Sequence, residues 1–556
     1  MKLKKIISMF LVVLMSLIIC TGCKGETEQN QTDETNTQTE DSVKTDAESG
    51  AKEQKLIYAI NTEPREMDPG MNYWLAPSNV LQNVFRGLYK LDVNGNLVPS
   101  MATGYTVDDT NTVYTFTMNP DAKWSDGSSL NAFDFEYSWK RVIDPAVGSQ
   151  ASYALFNIKN AEKAALGEVG LDEVGIKALD ENTFQVTLEA PTSWFLSLTT
   201  TPNFMPVKKD VAEIQGWQLK PETYITNGPY MVTEMKTKEK YVLKKNPYYL
   251  DADNVKLDTI EIVFIESAES TLIAYDKGEV MFTENISAEA KEKYFGTEDY
   301  VTTPKIELVY YTFNTNKAPF DDAKVRKAFS YSIDRQVIIE SVIESLENPA
   351  FAFVPEGYYN PANTEQQFRD VTGQKLFSED IEAAKKLLEE AGYKDGKGIP
   401  KIELCVGASQ LEKDIAQALQ GMWKENLGVS VDIVTFESKI LNEEVEKGNY
   451  SITSDGWTGL YPDPMSILLP HVTGQTVSAY SFWSNAEYDK LSANSIVELD
   501  QHKRLEMFQR MEEIILDEMP VFPIHYRKNA YLCKPEAKNV IKNILGHTYL
   551  EYAYIE

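Results

Sequence analysis

The sequence predicts an α/β fold spread over more than one domain, on two observations. Runs with a two-residue period, such as residues 112–118 and 183–188, recur between stretches whose apolar residues share one helical face and whose ends carry capping residues. The chain, at 556 residues, is also long enough for more than one hydrophobic core.

Residues 1–23 read as an export segment. Lys2, Lys4 and Lys5 make a positive start, and residues 6–19 are an unbroken apolar-rich run. That run is short for a membrane-spanning helix, which favours a cleaved signal over a permanent anchor. It closes on Cys20-Thr-Gly-Cys23, which is similar to a bacterial lipobox with Cys20 where Leu is usual. Cys23 is the expected lipidation site, with Cys20 as a second candidate. A lipidated cysteine would hold a domain outside the cytoplasmic membrane. Residues 24–54 are rich in Thr, Gln, Asn, Glu and Asp, with no aromatic residue. Such a segment cannot bury enough surface to offset its ordering entropy, so a disordered acidic tether is expected. Ser49-Gly-Ala-Lys52 matches Ser-x-x-Lys, but it lies in this tether and lacks the fixed helix that catalysis would need.

The elements follow in order. Residues 56–60 read as a first strand, and Asn94-Gly95 suits a type I′ hairpin turn. Ile225-Thr-Asn-Gly-Pro-Tyr230 is a glycine-hinged turn in which Asn227 offers donor and acceptor to an extended backbone; an ordinary type II-like turn is the alternative. Residues 257–266 read as a strand. Asp321 and Asp322 are N-caps for a helix whose Val325, Ala328, Phe329 and Ser332 share a face. A further helix is capped by Ser378, carries acids in its first turn and ends at Gly392. Strands at 401–405 and 428–436 flank a helix over 411–425, and residues 501–518 are amphipathic.

The stretch Asp455-Gly-Trp-Thr-Gly-Leu-Tyr-Pro-Asp-Pro464 follows an extended run, Tyr450-Ser-Ile-Thr-Ser454. Two glycines flanking Trp457 allow close approach to the backbone, and Pro-Asp-Pro ends the strand without starting an ordinary helix. Such a strand can hold an extended ligand by main-chain hydrogen bonds, or it can be an ordinary strand-turn around a buried Trp.

Composition excludes several function classes. The net charge of −30 argues against nucleic acid and against electrostatic docking on anionic lipid. The 30 tyrosines suit a ligand cleft with amphipathic walls. His471, His502, His525 and His547 show no metal-ligand spacing, and no nucleophile elbow, P-loop or dinucleotide fingerprint occurs. No cofactor, metal or catalytic residue is expected. Cys405 and Cys533 fit two free thiols or one disulfide.

The 455–464 stretch resembles the Gly-Trp-x-x-Asp-Tyr-x-x-Pro strand of oligopeptide-binding lipoproteins that serve ABC importers, the family 5 extracellular solute-binding proteins. The likeness continues through Ala122-Lys-Trp-Ser-Asp-Gly127, Asp134-Phe-Glu-Tyr-Ser-Trp139 and Val521-Phe-Pro-Ile-His-Tyr526. It implies a two-lobed, periplasmic-binding-protein-like (Venus flytrap) α/β fold with an inserted domain, its lobes discontinuous in sequence. The implied division is 55–88, 204–304 and 521–556 for lobe I, 89–203 for the insertion and 305–520 for lobe II. The tryptophan blocks are expected to build the fold. The implied ligand contacts are Gly456, Trp457, Thr458, Gly459, Leu460 and Tyr461, with Asn227, Glu63 and Tyr153.

Two departures matter. The family's Asp that binds the peptide ammonium is Leu460 here, so Glu63, Asp455 or Asp463 takes its place or the ligand presents no free amine there. Glu412 stands near where some relatives place a basic residue toward the peptide's carboxyl end. The implied function is peptide capture for a membrane permease, by a monomer on the outer face of a bacterial cytoplasmic membrane, without nucleic acid and touching the membrane through its lipid alone. A peptide-sensing receptor without import, a binder of a non-peptide ligand and an enzyme using the same cleft are the alternatives.

Overall fold

A computed structural model describes residues 53–92, 96–343 and 345–556. The export segment, Cys20, Cys23, residues 24–52 of the tether and the Asn94-Gly95 turn lie outside the described residues; Gln54, at the tether's expected end, is instead tied to the domain, its side chain donating to the Ile555 carbonyl at 2.9 Å.

Two long antiparallel strands organise the molecule. The first crossing strand, Tyr300–Phe313, has 14 residues, and the second, Val521–Cys533, has 13. They pair from Tyr300↔Leu532 to Thr312↔Val521. One end of the pair continues through Phe282–Thr283, Lys55–Ile60, Thr259–Phe264, Lys240–Lys245 and Tyr230–Lys236. The other end continues through Ile452–Thr458, called the site strand below, then Ile402–Gly407 and Val431–Phe436. One sheet thus serves both lobes. Its register slips between Pro304 and Leu308, where proline cannot donate to the ladder.

The residue pattern explains the crossing. Ile306, Leu308 and Tyr310 are buried in the second lobe's core, whereas Lys305, Glu307 and Val309 on the opposite face are only half-buried. Beyond them Phe313 and Phe522 enter a second cluster with Phe329 and Trp423, so the strands lie between two packed layers.

Within residues 89–203, a four-stranded antiparallel sheet (Ala102–Val107, Val113–Met118, Thr183–Thr187, Ile176–Asp180) packs with helix Ala132–Val142. Its Phe116, Trp139 and Phe184 share one core with Leu56 and Tyr58 of the large sheet. Trp139 Nε1 donates to the Phe204 carbonyl at 2.9 Å. Trp124 is buried above a turn in which the Gly127 N–H returns to the Trp124 carbonyl at 2.9 Å, with Gly127 at φ +85°. Both tryptophan blocks pack into the core.

The expected caps hold at Asp322 and Gly392, and Ser409 and Asp500 cap Gln410–Leu427 and Gln501–Glu518. One start is corrected. The helix expected from Ser378 runs Ile381–Glu390, and its cap is Asp380, which accepts the Ala383 N–H at 2.9 Å. Glu379 instead accepts the Arg335 N–H at 2.9 Å, and Asp380 itself has extended backbone. Cys405 and Cys533 are free and buried; burial pushes their thiols up to about 11 and about 12.

Candidate functional site

Strand direction locates the cleft. Lys55–Ile60 is parallel to Thr259–Phe264 and Phe282–Thr283, and the first crossing strand runs the same way, because the second crossing strand is antiparallel to both. The site strand is antiparallel to the first crossing strand, and Ile402–Gly407 and Val431–Phe436 follow the site strand's direction. The carboxyl ends of the two lobes' strands therefore point at each other across the hinge. The crevice outside strand carboxyl ends is where open α/β sheets bind ligands. A cavity of about 350 Å³ opens there, lined by Glu284 and Ile286 of one lobe, Thr302 and Lys528 of the crossing strands, and Leu346 and Leu411 of the other lobe.

The site strand splits its residues by parity. Gly456, Thr458 and Leu460 are exposed, Leu460 by 64%. Trp457, Gly459 and Tyr461 turn inward: Trp457 Nε1 donates to the Ser466 carbonyl at 2.8 Å, and Gly459 is buried against Tyr358. The backbone follows the same alternation. The Gly459 N–H donates to the Ile306 carbonyl at 2.8 Å, so Gly456 and Thr458 aim their backbone groups away from the first crossing strand. On that side Ile402–Gly407 pairs only with Ile452 and Thr453. Among the described residues, no strand pairs with that edge from 454 to 458.

The inward residues have structural partners. Tyr461 stacks on Trp194 with ring centroids 5.0 Å apart and planes 2° from parallel. Trp457 and Tyr461 thus support the strand from behind rather than standing in the open cleft face. A Cβ at Gly459 would lie 2.2 Å from the Tyr358 hydroxyl, so this glycine serves packing, and enlarging it would disturb the fold as well as any approach from the cleft. Pro-Asp-Pro does start a helix, contrary to expectation. Met465–Leu468 follows Pro464 directly, because Asp463 Oδ1 accepts the Met465 N–H at 2.9 Å.

The remaining candidates lie apart from this edge. Asn227 is fully buried, accepting the Arg86 N–H at 3.0 Å and donating to the Arg86 carbonyl at 2.9 Å, so its amide clamps a neighbouring turn and is closed to a ligand in this arrangement. Glu63 accepts from the Lys238 N–H at 3.0 Å and the Tyr241 hydroxyl at 3.1 Å. Tyr153 is 59% exposed, and its segment is tied to the loop bearing exposed Tyr73 and Trp74 by the Ser149 hydroxyl, which donates to the Gly70 carbonyl at 2.7 Å.

None of the three carboxylates considered for a ligand ammonium is free. Glu63 is held as above. Asp463 forms a two-pronged pair with buried Arg504 at 2.6 and 2.9 Å. Asp455 accepts from the Tyr480 hydroxyl at 2.8 Å, the Thr312 hydroxyl at 3.3 Å and the Gly456 N–H at 2.7 Å. Burial holds its carboxyl above the usual range despite those donors. Glu412 closes its own helix cap with Ser409 at 2.6 Å and receives the Ser454 hydroxyl at 3.3 Å.

Sequence reasoning missed Glu307, Lys305 and Arg527, which cluster beside Thr458, and the part played by Trp194. Burial opposes ionisation of Glu307, but Lys305 and Arg527 outweigh it and hold its carboxyl below the usual range. The alternation of 305–310 carried a signal for Glu307; nothing local carried one for Arg527.

The family model for bacterial extracellular solute-binding proteins, family 5, matches residues 96–479. Oligopeptide-binding protein OppA of Bacillus subtilis (strain 168) is 33% identical over 515 residues, covering 89% of this chain and 92% of its own. The solved structure of the murein tripeptide-binding protein MppA in an unliganded open form superposes with TM-score 0.82 at 31% identity, covering 91% of this chain and 98% of that one. A second MppA structure, from Escherichia coli, gives 0.67 at the same identity, covering 91% and 99%. The chain therefore belongs to the bacterial extracellular solute-binding proteins, family 5, and is a binding protein rather than an enzyme.

Proposed function

We propose that this chain is the lipid-anchored solute-binding component of an ABC importer, capturing peptides between its lobes and handing them to membrane permease subunits. The lobes divide as the resemblance implies, Cys23 carries the lipid, and the protein works as a monomer on the outer face of the cytoplasmic membrane. The open edge of the site strand carries the reading. An extended peptide can add to that edge as a further strand, its main chain pairing with the Gly456 carbonyl and with Thr458 while Leu460 forms an apolar wall. Closure about the register slip between Pro304 and Leu308 then brings the first lobe's strand ends onto the other side of the peptide.

The test separates edge pairing from general packing. Thr458→Pro removes a donor that points away from the existing ladder, so the sheet keeps its bonds. Peptides copurifying with the full chain, identified by mass spectrometry and titrated by calorimetry, should bind this variant about tenfold or more weakly, since one lost hydrogen bond and a ring on the pairing edge together cost roughly 1–3 kcal/mol. Unchanged affinity at unchanged melting temperature would remove the strand from the site. Mass spectrometry of the mature amino terminus tests the anchor: a diacylglyceryl group on any residue but Cys23, or none, refutes it.

A further inference from the structure

Glu307 lies opposite Thr458 in the ladder, so its side chain shares the face that Gly456, Thr458 and Leu460 present to the cleft. Two cations converge on it. Lys305 Nζ stands 2.5 Å from one carboxylate oxygen and Arg527 Nε 3.1 Å from the other. One carboxylate facing two cations leaves a positive charge in excess. Neighbouring Glu284 does not cancel it, being taken by Lys542 at 2.7 Å.

The backbone explains why Arg527 is available. The crossing-strand register passes from Pro304↔Lys528 to Leu308↔Tyr526, so Arg527 faces the slip and has no ladder partner of its own. Its side chain is 47% exposed, and among the described residues Glu307 is its only ionic partner, approached most closely by Nε at 3.1 Å. Neither terminal guanidinium nitrogen has a hydrogen-bond partner among the described residues. A guanidinium pinned at Nε presents a planar fork that matches a carboxylate with two parallel hydrogen bonds. The chain's net charge of −30 does not override this, because exposed charges beyond about 8 Å are largely screened at physiological ionic strength.

We propose that Arg527 is a specificity-determining residue that receives a carboxylate of the ligand, oriented by Glu307 and backed by Lys305. The proposal rests on the peptide-binding reading above and narrows it. The preferred ligands carry a negative group, either an acidic side chain or the peptide's own terminal carboxylate, next to Thr458. Leu460, exposed on the same face, is uncharged and offers no carboxylate to a ligand cation, so the two features favour ligands of the same charge type.

The experiment uses the full chain and a defined set of alanine-based tetrapeptides. The third residue is Gln, Glu or Lys, and each peptide is made as the free acid and as the carboxyl-terminal amide. Competitive binding read by mass spectrometry, then calorimetry, should show the wild type favouring acid-bearing members about tenfold or more, the scale of one hydrogen bond to a charged group. A preference confined to the Glu peptides identifies a side-chain carboxylate; one confined to free acids identifies the peptide's terminus. Arg527→Gln, with Arg527→Met as a second neutral variant, should erase the difference between acidic and neutral members, and Arg527→Lys should keep part of it. Equal binding of Gln and Glu peptides, acids and amides alike, overturns the anion site while leaving peptide capture standing. So does a preference that survives in both neutral variants. If no member binds the wild type, the peptide reading falls and takes this proposal with it.

Discussion

Gly459 offers a quantitative test of how the site strand is held. Its N–H bonds the Ile306 carbonyl at 2.8 Å, and a Cβ added there would lie 2.2 Å from the Tyr358 hydroxyl oxygen, 3.0 Å from the ring carbon bearing it and 2.8 Å from Ile306 Cδ1. Carbon–oxygen contacts normally begin near ~3.3 Å, so the overlap with the hydroxyl is about 1 Å. Tyr358 is fully buried and cannot swing into solvent, whereas the Ile306 methyl can rotate. Gly459→Ala should therefore destabilise the second lobe by about 1–3 kcal/mol, the usual cost of overpacking. The Tyr358 hydroxyl is buried beside Ser466 without a hydrogen bond of good geometry, so Tyr358→Phe should change stability by no more than about 0.5 kcal/mol. The double variant should regain most of the loss, giving a coupling energy of about 1–2 kcal/mol. Rescue stays incomplete because the ring carbon remains close. Urea denaturation of the four proteins measures the cycle, and peptide affinity should follow it, since Gly459 aims Leu460 at the cleft. A double variant no more stable than Gly459→Ala alone would refute the packing account.

Two further outcomes follow from charges near the same strand. The wild type should bind an N-acetylated peptide at least as tightly as its free-amine counterpart, and Leu460→Asp should gain about tenfold for the free amine, a charge-assisted bond being worth about 1.5–3 kcal/mol; a wild type that strongly prefers the free amine sinks this. Asp455 is raised by burial, so the stability its neutral form contributes is fully present below the unfolded carboxyl's pKa of about 3.9 and is lost as pH rises through the higher folded value. The stability of wild type relative to Asp455→Asn, from denaturation at several pH values, should therefore fall as pH rises from about 4; a flat or rising difference contradicts the assignment.

The elements that could be read from sequence are those whose pattern is local. A two-residue period tells that 306, 308 and 310 share a face, and a capping residue before an apolar run marks a helix start within a few residues. The choice between Ser378 and Asp380 needed the distant Arg335 N–H, which takes up Glu379. The 455–464 stretch was legible as a strand that stops. Which of its parities faces solvent was not, because that depends on Tyr358 and Trp194, about 100 and 270 residues away in the chain. Asn227 shows the same limit. An amide in a glycine turn suits a ligand backbone and a neighbouring turn equally, and only the fold brings Arg86 to it. Arg527 looked like one more charged residue in a strand until the register slip left it without a ladder partner.

The open edge also bears on why an empty protein of this form should stay open. With the lobes apart, the Gly456 carbonyl, the outward backbone groups of Thr458 and the terminal nitrogens of Arg527 can be hydrated. Closing the cleft on nothing would strip that water, and each neutral group left unpaired costs roughly 1–3 kcal/mol, more for a charged one. A few such groups together amount to several kcal/mol, enough to hold an empty closed form near or below one per cent, since each 1.4 kcal/mol is a tenfold change in population. A bound peptide reverses the sign. Its main chain pairs the edge, and its carboxylate meets the guanidinium inside a site where water has been excluded and the attraction is stronger. On the proposed function, occupancy and closure are coupled through the same few atoms, and a permease that recognised the closed form would meet mainly loaded protein.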